Sequence, residues 1–111
     1  MYDRESNELY VENRGLFMVS DIIFNLDPAL TPYEFRVYTF LCYRRDRCGQ
    51  AFPSYKSLMA KCGIGNIRTA KKAIDGLINR GLITAEKRHA QDGGSLTNAY
   101  TIYNKPRQTA D

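Results

Sequence analysis

Residues 62–66 read Cys-Gly-Ile-Gly-Asn, and they constrain the fold more than any other stretch. Two glycines within three residues let the backbone reverse, because glycine enters left-handed conformations without steric cost. The sequence on each side reads as helix. Ser54 follows Pro53 and is placed to cap a short helix over about Tyr55–Lys61, with Leu58 and Met59 as its apolar residues. Asn66, or Gly65 before it, caps a second helix over about Ile67–Arg80. Gly81 ends that helix where a left-handed residue is usually required. Ile67, Ala70, Ile74, Leu77 and Ile78 recur at spacings of three and four, the pattern of one buried stripe. Asn66, Arg68, Thr69, Lys71, Lys72 and Arg80 lie off it, so one face packs while the other presents cations and hydrogen-bond donors.

The flanks complete an architecture. Thr31-Pro32-Tyr33-Glu34 joins an N-cap, a proline at the first helical position and a glutamate at the third, which is a capping box opening a long helix. Phe35, Val37, Tyr38, Leu41 and Cys42 form its buried stripe. Tyr43-Arg44-Arg45-Asp46-Arg47 closes it with cations that suit a helix C-terminus. Gly49–Pro53 reads as a loop, with Phe52 as a core anchor. Beyond Gly81, the run to Arg88 is β-type, 89–95 is a polar turn centred on Gly93-Gly94, and Leu96–Tyr103 is β-type again, which together signal a hairpin. The expectation is an α+β winged helix-turn-helix over residues 15–103, with a three-helix core and a C-terminal β-hairpin wing. Ahead of the core, Ser20 caps a short turn, and Ile22, Ile23, Phe24 and Leu26 cover one end of it. Residues 1–14 read as a mobile leader in which Leu9-Tyr10-Val11 is a candidate short strand or a segment that docks on a partner, and 104–111 as a polar tail or linker.

The segment from about Thr31 to Tyr103 resembles the winged-helix domain of bacterial, plasmid and phage replication initiators and DnaD-like primosomal proteins. The resemblance rests on Ala51-Phe52-Pro53-Ser54, Leu58, Ala60, Gly63-Ile64, Arg68-Thr69, Ala73-Ile74, Leu77, Gly81-Leu82-Ile83 and Asn98-Ala99-Tyr100. The Phe-Pro-Ser entry and the Asn-x-Tyr of the last strand are its most specific marks, whereas Gly-Leu-Ile is shared by many winged-helix families. The turn at Gly65-Asn66-Ile67 carries one residue more than the family's usual spacing, so Asn66, Ile67 and Arg68 compete for the base-facing places. The resemblance implies replication initiation, by origin recognition or primosome loading. A transcription regulator using the same module, or a protein-interaction module, are the alternative readings.

Charge bears on the partner. Residues 1–35 hold seven acids and two bases, whereas residues 54–107 hold ten bases and three acids. A basic module behind an acidic leader fits a polyanion at the module alone. Double-stranded DNA is the expected partner, with replication proteins and a second copy of the chain as further candidates. Helix N-termini, the second helix and the wing are the elements that reach DNA in this architecture. The candidate DNA-binding residues are Ser54, Tyr55, Lys56, Asn66, Arg68, Thr69, Lys71, Lys72, Lys87, Arg88 and His89. Catalysis is not expected: there is no glycine-rich phosphate loop, and one histidine completes no metal-dependent nuclease. No cofactor or metal is expected either, since Cys42, Cys48 and Cys62 fit neither a zinc spacing nor a disulfide framework. Free cysteines and a charged N-terminus suit the cytoplasm, and no apolar run approaches a membrane span.

Overall fold

The structure, a computed structural model, describes residues 15–91 and 96–107 and the backbone of residues 2–3 and 8–9. Tyr2–Asp3 (β1) pairs antiparallel with Glu8–Leu9 (β2). Tyr10 and Val11, part of the candidate leader strand, lie outside the described residues, as does the Gly93-Gly94 turn.

Local chemistry sets the helix ends. Helix α1 spans Pro32–Arg44. Its capping box is complete: the Thr31 hydroxyl accepts the Glu34 N–H at 3.1 Å, and the Glu34 carboxylate accepts the Thr31 N–H at 2.9 Å. Helix α2 spans Tyr55–Cys62, and the Ser54 hydroxyl accepts the Ser57 N–H at 3.0 Å. Gly63 then turns left-handed at φ +69°, which brings the Ile64 N–H to the Met59 carbonyl at 2.9 Å. Gly65 is not left-handed, so one glycine of the pair makes the turn. Helix α3 spans Ile67–Asn79, capped by Asn66, whose Oδ1 accepts the Arg68 N–H at 2.7 Å. At its far end Gly81, at φ +76°, donates to the Ile78 carbonyl, and Leu82 donates to that of Leu77. This is the Schellman pattern, closed by two fully buried leucines.

The core lies between these helices and a small sheet. Val37, Tyr38, Leu41, Leu58, Leu77, Leu82, Ile83 and Tyr100 are almost wholly buried. On α3 the buried set is Ala70, Ala73, Ile74 and Leu77, so the stripe runs through Ala73 and does not extend to Ile67, which is 45% exposed. Ile67 is the first residue of α3, at the open end of the stripe. Ile78 is half-buried. At the other end of the core a 3-10 turn spans Asp21–Phe24, capped by Ser20 as expected. Ile23 is buried, but Phe24 is 76% exposed, with its ring centre 5.7 Å from that of Phe35.

Strands Gln50–Ala51 (β3), Ile83–Glu86 (β4) and Ala99–Ile102 (β5) form an antiparallel sheet in the order β3-β5-β4. β4 and β5 are the expected wing strands, in register from Ile83↔Ile102 to Glu86↔Ala99. β3 replaces part of the expected loop: Gln50 pairs with Thr101 and Ala51 with Tyr100. The residues after β5 are not free of the domain. The Tyr103 N–H bonds the Leu82 carbonyl and the Arg107 N–H that of Gly81, so residues 103–107 lie along the end of α3. A Cβ on Gly81 would come within 2.5 Å of the Arg107 carbonyl oxygen.

Two expectations follow. Leu77 is fully buried on α3. Leu77→Ala should cost about 2–5 kcal/mol, read as a large fall in melting temperature. The second concerns alkali. Burial pushes the Tyr100 phenol up to about 12, with Asn98 lowering it slightly and Tyr55 raising it. Burial likewise pushes Tyr38, Cys42 and Cys62 above their ordinary values. In the unfolded chain these groups lose their protons first. Above pH ~9 the unfolded state therefore binds fewer protons, and stability falls as pH rises. Denaturant midpoints should be flat near neutrality and decline from about pH 9 towards 12, with a shallower decline in Tyr100→Phe.

Candidate nucleic-acid interface

The outward face of α3 follows from its period. The core stripe points one way, and Arg68, Lys72, Asp75 and Asn79 recur at spacings of four, three and four on the opposite side. All four are exposed. Lys71 is exposed too, but it stands at the edge beside α2, with its ammonium 5.6 Å from the centre of the Tyr55 ring. Lys72 therefore points more squarely outward than Lys71. Thr69 takes the other flank, half-buried, and lines a cleft with Thr31, Tyr33, Glu34, Lys72 and Ala73. The three residues competing for the base-facing places separate. Asn66 uses its carbonyl oxygen as the helix cap, Ile67 is an exposed apolar shoulder, and Arg68 stands free on the outward stripe.

Asp75 and Asn79 were not among the candidates. Their signal is the complementary stripe: once Ala73 is placed inside, 68, 72, 75 and 79 fall together outside. An acid in the middle of a cationic stripe repels phosphate and can accept a hydrogen bond from the cytosine amino group.

The remaining cations sort by what they already hold. Arg80, read from sequence as part of the presented face, is turned inward. Its Nε lies 3.4 Å from the Glu34 carboxylate, and its two terminal nitrogens donate to the Pro28 and Ala29 carbonyls at 2.6 and 2.9 Å. In the wing, Lys87 and His89 are exposed. Arg88 donates to the Thr97 carbonyl at 2.8 Å and the Thr97 hydroxyl at 2.7 Å, and its guanidinium stacks 4.5 Å from the centre of the Phe52 ring. Phe52 is therefore not a core anchor: it is 39% exposed and forms a platform for Arg88, while its carbonyl accepts the Thr97 hydroxyl. Ser54 is half-buried at the α2 cap with Tyr55 beside it, and Lys56 is exposed. Pro53, Ser54 and Tyr55 share a cleft with Leu96, Thr97, Asn98 and Tyr100, so the start of α2 and the root of the wing meet. Among the described residues, no three His, Cys, Asp or Glu side chains gather to hold a metal. No helix there is long and apolar enough to cross a membrane.

Residues 29–83 match a family described as a helix-turn-helix domain, about half of the chain. The match runs from the loop before α1 into β4, and so contains all three helices. No curated protein and no solved structure matches the chain. The matched segment is a helix-turn-helix domain. With the β3-β5-β4 sheet beside it, the architecture is a winged helix-turn-helix, an α+β DNA-binding domain.

The two wing cations should behave differently when removed. Lys87→Ala should lower affinity for every duplex alike and leave the melting temperature unchanged. Arg88→Ala should also lower the melting temperature, since it deletes two hydrogen bonds worth about 0.5–1.5 kcal/mol each. Gel shifts on mixed duplex DNA paired with thermal melts separate the two.

Proposed function

We propose that this chain is the DNA-binding domain of a replication initiation protein, acting in origin recognition or primosome loading, and that it works by binding and not by catalysis. The observation that carries this reading is the meeting of the two most specific marks of the resemblance. Phe52-Pro53-Ser54 leads from β3 into α2, Asn98-Ala99-Tyr100 opens β5, and the two segments line one cleft. The Asn98 amide reaches the Tyr100 hydroxyl at 3.4 Å, and the Thr97 hydroxyl ties the strand back to the Phe52 carbonyl. These residues hold the wing against the N-terminus of α2, the junction that sets how wing and α3 address one duplex.

In this reading α3 enters the major groove. Arg68 bonds a guanine edge and Lys72 meets a phosphate. Lys56, Lys71 and Lys87 add phosphate contacts, with His89 at the wing tip. Asn66 and Arg88 act from behind, one starting the helix and the other bracing the wing. Thr69 touches the backbone from its flank. Ser54 and Tyr55 present the start of α2 to a phosphate. Because the buried thiols of Cys42 and Cys62 are unpaired, a reducing cytoplasm suits the protein.

Selection on randomised duplexes tests the helix. Arg68→Ala should relax one base position, a loss of about 1–3 kcal/mol of discrimination. Lys72→Ala should keep the preferred site and lower the salt slope by about one ion. If both variants keep wild-type site and affinity, α3 does not read DNA. A replicon carrying the selected site, maintained only when the protein is expressed, supports initiation. Response of a promoter-linked reporter alone would point to transcriptional regulation.

A further inference from the structure

On the side of α1 turned away from α3, the molecule carries an apolar groove. Phe35, Arg36, Thr39, Phe40 and Tyr43 of α1 line it together with Lys61 and Phe17, around a volume of about 440 Å³. Phe17 stands edge-on to Tyr43, with ring centres 5.5 Å apart. Tyr43 is 57% exposed, and Leu16, Phe17 and Met18 are exposed in the segment leading to the groove. Phe24 adds a further exposed ring against Phe35. Large apolar side chains gathered on one side of a small domain mark an interaction surface. Neither α3 nor the wing contributes to this one.

The charge around the groove names the occupant's chemistry. Arg36 and Lys61 line it, and the Arg44 guanidinium lies 5.8 Å from the centre of the Phe40 ring. The acid of α1, Glu34, is turned inward and buried, and among the described residues no acid lines the groove. A second copy docked by a two-fold axis would bring the same cations against each other. We propose that the groove docks an acidic amphipathic segment of a partner protein. The segment's apolar side chains enter between Phe17, Phe35 and Tyr43, and its carboxylates meet Lys61, Arg36 and Arg44. Arg36 donates to the Cys62 carbonyl at 2.7 Å and lines the groove from there. The groove and the duplex-facing stripe share no residue, so both partners can bind at once.

The test uses the full chain, isotope-labelled, titrated with two synthetic helical peptides. Both carry leucine and phenylalanine at every third or fourth position; one carries glutamate elsewhere and the other lysine. The expected result is saturable amide shifts confined to Phe17, Thr39, Tyr43, Lys61 and their neighbours, with the lysine peptide at least about tenfold weaker. Lys61→Glu should weaken the glutamate peptide and strengthen the lysine one, while Tyr43→Ala weakens both. Lys61 is exposed, so its replacement leaves the fold intact. Equal affinity for the two peptides would overturn the proposal, as would shifts centred on α3 or the wing. Displacement of residues 2–14 from the groove would overturn it in favour of the chain's own leader. Self-association shifting the same amides without peptide would overturn it in favour of a second copy.

Discussion

The Glu34 carboxylate is the point on which the arrangement of the helices depends. It closes the capping box at the start of α1, and it faces Arg80 at the end of α3. Arg80 in turn fastens the Pro28 and Ala29 carbonyls that lead into α1. A Cβ at position 76 would overlap Glu34 Oε2, so Gly76 is what lets the carboxylate lie against α3. A charge this deeply buried is tolerable only with its partners in place. The start of the first helix and the end of the third are thereby held together, and the outward stripe of α3 takes its direction from that lock.

The same node shows how formal charge and available charge differ. Arg45, Arg80, Arg88 and Arg107 all hold carbonyls, side chains or aromatic rings of their own chain. The lysines of α2, α3 and the wing are exposed, with Lys71 drawn over Tyr55. Arginine has a rigid fork that suits structural carbonyls, and lysine a compact hydrated charge. Among the described residues Arg68 makes no such contact and stands exposed at the head of the outward stripe, which is why the proposed base contact falls on it.

What was legible in the sequence was local. Thr31-Pro32-Tyr33-Glu34, Ser54, Asn66 and Gly81 set helix ends through bonds within a few residues, and each does so as its type predicts. What was hidden depends on distant partners. β3 is two residues long and its partner lies about fifty residues away, so neither length nor periodicity announces it. Phe52 reads as a core anchor in the sequence, but its neighbour across the fold is the Arg88 guanidinium. Arg80 was legible in principle, since 73, 77 and 80 share one helical face, but a cation there is expected outside until a buried carboxylate is known to meet it.

The strand order carries a consequence for how the molecule comes into being. β5, which follows β3 and β4 in sequence, is the central strand, and among the described residues β3 and β4 pair with it and not with each other. Without residues 99–102, β3 and β4 have no partner strand between them, and the core lacks Tyr100 and Ile102. The sheet closes only across long sequence separations, which is slow relative to helix formation. The interval before that closure is when the chain is open to strand addition by another molecule.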